Sequence, residues 1–242
     1  MTLYNNPDQP TKERMTMTTI IKAAYVAQAV QFMSKEETRF YLCGLHICAN
    51  PTGGARIVAT DGHLLGIFHD AGGIVDAPNI WPISKTLLAS CKPQKTDYGV
   101  RRWVVLGEGR AVVALANTAQ VAGEVAASNI VHQEFISPID GTFPDYTRVV
   151  PVPIVGETGW AADHFNPEIL GRASSPAYWT EDGDRRKHPL SVIVASSALG
   201  SPAVLKVSER NDFFSIIMPT RAVGDHTLPS WWTSEPDEQV AS

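Results

Sequence analysis

Asp61 and His63 flank a glycine in Thr60-Asp61-Gly62-His63. An aspartate beside a histidine can make a general base, with the carboxylate fixing the imidazole tautomer while the other ring nitrogen takes a proton. The same four residues also read as a tight turn, because Asp-Gly is a strong hairpin signal and the strand-like runs Arg56 to Thr60 and Leu64 to Phe68 lie on either side. No nucleophile is paired with His63, so the turn reading is favoured over catalysis. His69 offers a second imidazole six residues on, but no third ligand accompanies the pair, and neither a metal nor a cofactor is expected. Walker A, GxSxG and HExxH patterns are absent, and Gly107-Glu108-Gly109 begins a GxGxxG whose third glycine position is Val112. Cys43, Cys48 and Cys91 lack the spacing of a zinc site or disulfide framework and read as small buried hydrophobes, with Cys43 and Cys48 on opposite faces of one predicted strand.

The composition is that of a globular protein. The 242 residues are 44% hydrophobic and 19% charged, with 18 Gly and 17 Pro, which excludes disordered, collagenous and coiled-coil classes. Lys+Arg 20 against Asp+Glu 25 gives a net charge of −5, which argues against wrapping nucleic acid with the whole surface and leaves a local basic patch open. No apolar stretch approaches the roughly 20 residues of a membrane span, and the polar start has no apolar core, so no membrane association and a cytoplasmic location are expected. At roughly 150 residues per domain the length corresponds to about 1.6 domains.

Positioning these residues falls to a repeated pattern. Residues 1–16 and 225–242 read as tails, the second carrying Leu228 and the pair Trp231 and Trp232. Between them, three short one-faced helices are expected. The first, about Tyr25 to Ser34, places Val26, Ala29, Val30 and Met33 on one face and Gln28, Gln31 and Lys35 opposite. The second is capped by Ser84 ahead of Leu87, Leu88 and Cys91, and the third opens Asn166-Pro167-Glu168 ahead of Ile169, Leu170 and Ala173. A strand precedes each helix: Thr18 to Ala23, Asn79 to Ile83 and about Thr158 to Asp163.

Three strands follow each helix. They are Phe40 to Cys48, Arg56 to Thr60 and Leu64 to Phe68; then Trp103 to Leu106, Arg110 to Ala116 and Asn129 to Ser137; then Leu190 to Ser196, Ala203 to Ser208 and Phe213 to Pro219. Three βαβββ modules with helices on one face of antiparallel sheets make an α+β fold. Two further features remain: the loop Phe143-Pro144-Asp145-Tyr146, and a last strand, Ile216-Ile217-Met218, that ends at Pro219. They read as a packed corner and a strand end, or as an apolar surface pocket for a partner peptide.

Four segments together resemble the bacterial sliding clamp family, the β subunit of DNA polymerase III. They are Glu37-Thr38-Arg39-Phe40-Tyr41-Leu42-Cys43-Gly44; Val58-Ala59-Thr60-Asp61-Gly62-His63-Leu64-Leu65; Asp140-Gly141-Thr142-Phe143-Pro144-Asp145-Tyr146-Thr147-Arg148-Val149-Val150-Pro151; and Ile216-Ile217-Met218-Pro219-Thr220-Arg221. The resemblance implies a shortened member with the DNA-clamp fold: one complete clamp-like domain of two modules at 17–151, then half a domain of one module at 152–224.

It further implies a non-enzymatic processivity factor that encircles double-stranded DNA as a homo-oligomeric ring. DNA polymerase, clamp loader and repair proteins would bind through short linear peptides in a pocket lined by Leu42, Thr60, Gly62, His63, Leu65, Pro144, Arg148, Val149, Ile216, Met218 and Pro219. Leu64 stands where the family usually has arginine and Thr220 where a second methionine is common, which bears on peptide preference. Lys22, Lys35, Lys85, Lys92 and Arg172, on or beside the helices, are the DNA-facing candidates. If a closed ring takes twelve modules, three per chain call for four chains. A peptide-binding adaptor or antagonist that keeps the pocket without encircling DNA is the alternative.

Overall fold

The computed structural model describes residues 19–97, 99–119, 122, 129–151, 164–196 and 200–220. Both expected tails, the strand expected near Thr158 to Asp163, Arg221, Leu228, Trp231 and Trp232 lie outside the described residues.

The first module runs β1 (Thr19–Lys22), α1 (Ala23–Ala29) extended by a 3-10 turn (Val30–Phe32), β2 (Gly44–Ala49), β3 (Ala55–Thr60) and β4 (Leu64–Asp70). A two-residue β5 (Ile74–Val75) leads to the second: β6 (Asn79–Pro82), α2 (Lys85–Ser90), β7 (Arg101–Gly107), β8 (Arg110–Ala116) and β9 (Ile130–Phe135). The third contributes α3 (Pro167–Ser174), a 3-10 turn (Ser175–Tyr178), β10 (Val192–Ser196), β11 (Ala203–Val207) and β12 (Phe213–Ile217).

The strands form two antiparallel sheets. One has the order β5-β1-β7-β8-β9 and the other β10-β11-β12-β4-β3-β2-β6. The first two modules exchange their opening strands: β1 pairs with β7 and β6 with β2. The third module joins the first edge to edge, β12 against β4, so strands from all three modules share the seven-stranded sheet. Alternation along the strands gives each sheet two apolar faces. Ile57, Leu64 and Phe68 of the longer sheet and Val104, Leu106 and Val113 of the shorter one enter a common core with Tyr25, Val26 and Phe32 of the first helical segment. Gly66 is required there, because a Cβ would stand 2.6 Å from the Phe32 ring. The shorter sheet's other face carries Ile20, Trp103, Val105 and Val112.

The local signals explain most boundaries. Ser84 Oγ accepts from Leu87 N at 2.9 Å and Asn166 Oδ1 from Glu168 N at 2.8 Å, with Pro167 at the first turn of α3. The β7–β8 connection is a two-residue turn, Glu108 at φ 50° and Gly109 at φ 74°, the doubly left-handed geometry that matches strand twist.

Three expectations are corrected. Residues 37–42 form 3-10 turns rather than the start of a strand: Arg39 N donates to Glu36 O, Cys43 N to Phe40 O and Ser34 N to Leu42 O, bonds that outweigh the β preference of Phe40 and Tyr41. Cys43 therefore sits outside the strand, its thiol 3.4 Å from Glu36 O, and both Cys43 and Cys48 are half-buried while Cys91 is buried. Gln28, expected on the solvent face, is buried because the third module covers it: its Nε2 donates to Thr180 O and its Oε1 accepts from Arg210.

A buried ion pair fixes the entry to β7. Arg102 Nε and Nη2 donate to the two carboxylate oxygens of Asp97 at 2.7 and 2.8 Å, and Nη1 donates to Ser90 O at the end of α2. The Arg102 hydrogen bonds hold the Asp97 carboxyl below the usual carboxylate range. A depressed folded-state pKa gives stability that is complete above the unfolded value of about 3.9 and is lost as pH falls through the lower folded value. Urea unfolding is accordingly expected to show stability falling below about pH 4, with a shallower decline in Asp97→Asn.

Candidate functional site

The site grows from the β3–β4 hairpin. Thr60 pairs with Leu65 across the turn, Gly62 adopts φ 93°, and Asp61 Oδ1 accepts from both His63 N and Leu64 N at 2.9 Å. Thr60 Oγ1 closes the turn, accepting from Gly62 N and donating to Leu64 O. The other Asp61 oxygen lies 2.7 Å from Arg172 Nη1 of α3. Asp61 thus serves the turn and an ion pair, and the turn reading of Thr60-Asp61-Gly62-His63 describes its geometry. Among the described residues no group of three His, Cys, Asp or Glu side chains is placed to hold a metal, and His69 Nε2 lies 2.9 Å from Gly53 O.

The hairpin's second strand meets the chain's last described strand. Leu65 lies opposite Ile216 and Leu64 opposite Ile217, and the pairing runs on past β12, where Met218 N donates to His63 O at 3.0 Å. On the sheet face away from the central core, Val58, Leu65, Ile67 and Ile216 form a separate apolar cluster, with Leu65 4% and Ile216 2% exposed. Val204, Phe214, Phe143, Tyr146, Val149 and Val150 pack on it, half-buried. Segments some 150 positions apart in sequence thus build one floor.

The loop 143–150 is held down on this face. The Phe143 ring stacks on His46 with centroids 4.8 Å apart, and Tyr146 OH accepts from Arg56 Nη1 at 3.2 Å while Arg56 Nη2 donates to Asn50 Oδ1. Burial lowers the His46 pKa, so the ring facing Phe143 is favoured as neutral imidazole. Asp145 Oδ1 accepts from Thr147 N and starts the 3-10 turn Tyr146–Val149 that brings Val149 onto the floor.

Of the eleven residues the resemblance puts in the pocket, Leu65, Val149 and Ile216 lie in this cluster, and Thr60, Gly62, His63 and Met218 border it through the hairpin and the β12 extension. Pro219 follows Met218 half-buried; Pro144 and Arg148 are exposed on the loop. Leu42 is buried in the 3-10 segment and is not among the residues of the cluster. Phe143, Tyr146, Val150, Val58, Ile67, Val204 and Phe214 belong to the same face and lie outside those eleven. Period-2 alternation on β3, β4, β11 and β12 could have found the last four.

The five candidate DNA-facing cations separate into two groups. Lys35, Lys85 and Lys92 are exposed. Lys22 is only 13% exposed in its side chain, with Nζ 3.5 Å from Asp182 Oδ1 and over the Tyr25 ring. Arg172 holds Asp61 and, through Nε and Nη2, Gln31 O, so its guanidinium acts as a clasp between α3, α1's extension and the hairpin. No helix of the described residues is long and apolar enough to cross a membrane.

No family model matches the chain. Over 124 residues it is 34% identical to the Beta sliding clamp of Caulobacter vibrioides, in each of two strains, a match that covers 49% of this chain and 29% of the relative. The match thus spans less than a third of the length of these curated relatives. Among solved structures, a DNA polymerase sliding clamp from Pseudomonas aeruginosa with ligand is similar over 90% of this chain and 70% of its own, with TM-score 0.52 and 18% identity. A sliding clamp from the same organism bound to griselimycin gives TM-score 0.52 and 19% identity over 89% of this chain and 69% of its own. The β chain of DNA polymerase III from Streptococcus pneumoniae gives TM-score 0.51 and 15% identity over 89% and 68%.

Proposed function

We propose that this chain, similar to the Beta sliding clamp of Caulobacter vibrioides over 124 residues and sharing the fold of solved sliding clamps, acts as a DNA sliding clamp, a processivity factor that tethers partners to duplex DNA. The observation that carries the reading is the β4–β12 junction. A hydrophobic floor of Leu65 and Ile216, flanked by Met218, Val149 and Phe143 and bordered by polar Thr60 and His63, is suited to anchoring an apolar side chain of a short peptide. Polymerase, loader and repair proteins carrying such peptides are the proposed partners. Residues 17–151 are taken as a whole clamp-like unit and 152–224 as half of one, so that several copies would make the ring. Topological retention needs little DNA affinity, which agrees with a net charge of −5.

One observation favours the adaptor alternative: Lys22 and Arg172 are engaged inside the chain, which leaves fewer cations for a duplex. A loader-free threading experiment separates the two. The protein is incubated with a linear duplex biotinylated at both ends, the ends are blocked with streptavidin, and the mixture is gel-filtered at high salt. Encirclement predicts co-elution with end-blocked duplex and loss from duplex left open. Loss from both contradicts encirclement and leaves a groove-bearing adaptor.

A further inference from the structure

The groove border formed by His63 and Met218 is fixed by a chain of hydrogen bonds that begins on α3. Arg172, in the last turn of that helix, donates from Nη1 to one carboxylate oxygen of Asp61 at 2.7 Å. The other oxygen, Oδ1, accepts from His63 N and Leu64 N, both at 2.9 Å. The His63 carbonyl in turn accepts from Met218 N at 3.0 Å, just beyond the last residue of β12. A guanidinium of the third module is thereby connected to the methionine at the groove's edge.

That guanidinium has little freedom of its own. Its Nε and Nη2 donate to Gln31 O at 2.9 and 2.7 Å, a carbonyl in the 3-10 turn that ends the first helical segment, where helix ends leave acceptors without intrahelical donors. The Arg172 and Asp61 side chains are 28% and 15% exposed, so the pair is partly shielded from the screening that weakens most surface ion pairs. Leu64 is buried and brings no charge to the turn. Arg39 approaches it, with Nη1 2.7 Å from where a Cβ on Gly62 would stand, but its charge is taken by Glu36.

The same helix holds the far side of Met218. Thr220 donates through N and Oγ1 to His164 O at 2.7 and 2.9 Å, and His164 lies two residues before the N-cap Asn166. Residues 218–220 are therefore fastened at one end to the turn that Arg172 fixes and at the other to the entry of α3.

We infer that Arg172 is a positioning residue for the groove: acting through Asp61, it sets the His63–Met218 border in place before a peptide arrives, so that little ordering is left to the binding step. Contact between Arg172 and the peptide is not required. The role rests on the reading of the β4–β12 junction as a peptide site.

Two measurements on the full chain test it: anisotropy of a labelled clamp-binding peptide, and amide hydrogen exchange at His63, Leu64 and Met218. Arg172→Ala is expected to weaken the peptide about tenfold and to speed exchange at all three amides. Arg172→Lys keeps the charge without the planar fork and should recover part of the affinity. Asp61→Asn keeps an acceptor for the turn and loses the ion pair, and adding it to Arg172→Ala should cost no further affinity, because both changes act on one contact. Gln28→Ala loosens the third module at a site remote in sequence from the hairpin and should leave peptide affinity as it is, which separates positioning from a general loss of stability. Unchanged affinity or unchanged exchange in Arg172→Ala, additive losses in the double variant, or an equal loss in Gln28→Ala overturns the inference. Failure of the unaltered chain to bind the peptide counts against the proposed function instead, and the exchange rates then decide by themselves whether Arg172 sets the border.

Discussion

Arg210→Met is expected to lower the unfolding free energy by about 3–5 kcal/mol, read as a drop in the urea midpoint. Arg210 lies between β11 and β12 with its side chain 2% exposed. Its Nε and Nη2 hold Asp212 at 2.7 and 2.8 Å, Nη1 donates to Pro176 O and Trp179 O, and both terminal nitrogens reach Gln28 Oε1 of α1. Methionine fills much of the volume but leaves a carboxylate and two carbonyls short of donors where water has little access. The loss has a direction as well as a size, because this cluster fastens the third module to the first helix. Gln28→Ala, which removes one acceptor and the Thr180 contact, is expected to cost less, on the order of 1–3 kcal/mol.

Leu65→Ala combined with Met218→Ala is expected to weaken binding of a clamp-binding peptide by about thirtyfold, the sum of two anchor truncations of about 1 kcal/mol each. The two side chains contribute differently. Leu65 forms the floor opposite Ile216 and is buried before any ligand arrives, so its truncation also destabilises the fold, by about 2–5 kcal/mol. Met218 is half-buried at the end of the β12 extension and adapts its shape to what it covers, so Met218→Ala alone should reduce affinity with little change in stability. Val131→Ala, on the exposed face of β9 in the other sheet, serves as the control and should bind as the unaltered chain does.

The repeated module was legible because its signals are local. Ser84 and Asn166 announce α2 and α3 by capping chemistry, and alternation marks β3, β4, β8, β11 and β12 near their observed limits. What escaped depended on distant contacts. The exchange of β1 and β6 between modules has no sequence signature, since a strand reads the same whichever sheet it joins. Gln28 looked like a solvent-facing helix residue until Arg210, 182 positions on, supplied its partner. Phe40 and Tyr41 carry strand propensity, yet hydrogen bonds from Ser34, Arg39 and Cys43 turn that stretch into 3-10 geometry.

The candidate site shows the same division. The Asp-Gly turn was readable from four residues, and its pairing with Arg172 was not, because the partner sits on the third helix. Family resemblance named Leu65, Val149 and Ile216 individually; the fold supplies the reason they meet, which is the β4–β12 pairing beneath the 143–150 loop. Val58 and Ile67 follow from the same alternation once Leu65 is placed on that face.

Fluorescence anisotropy of a labelled clamp-binding peptide, titrated with the unaltered chain and with Leu65→Ala/Met218→Ala, tests the groove most directly. Saturable binding by the unaltered chain, displaced by unlabelled peptide and weakened about thirtyfold in the double variant, is the predicted result. No binding, or the same affinity in both proteins, would contradict the assignment and leave the β4–β12 junction as a feature of the fold alone.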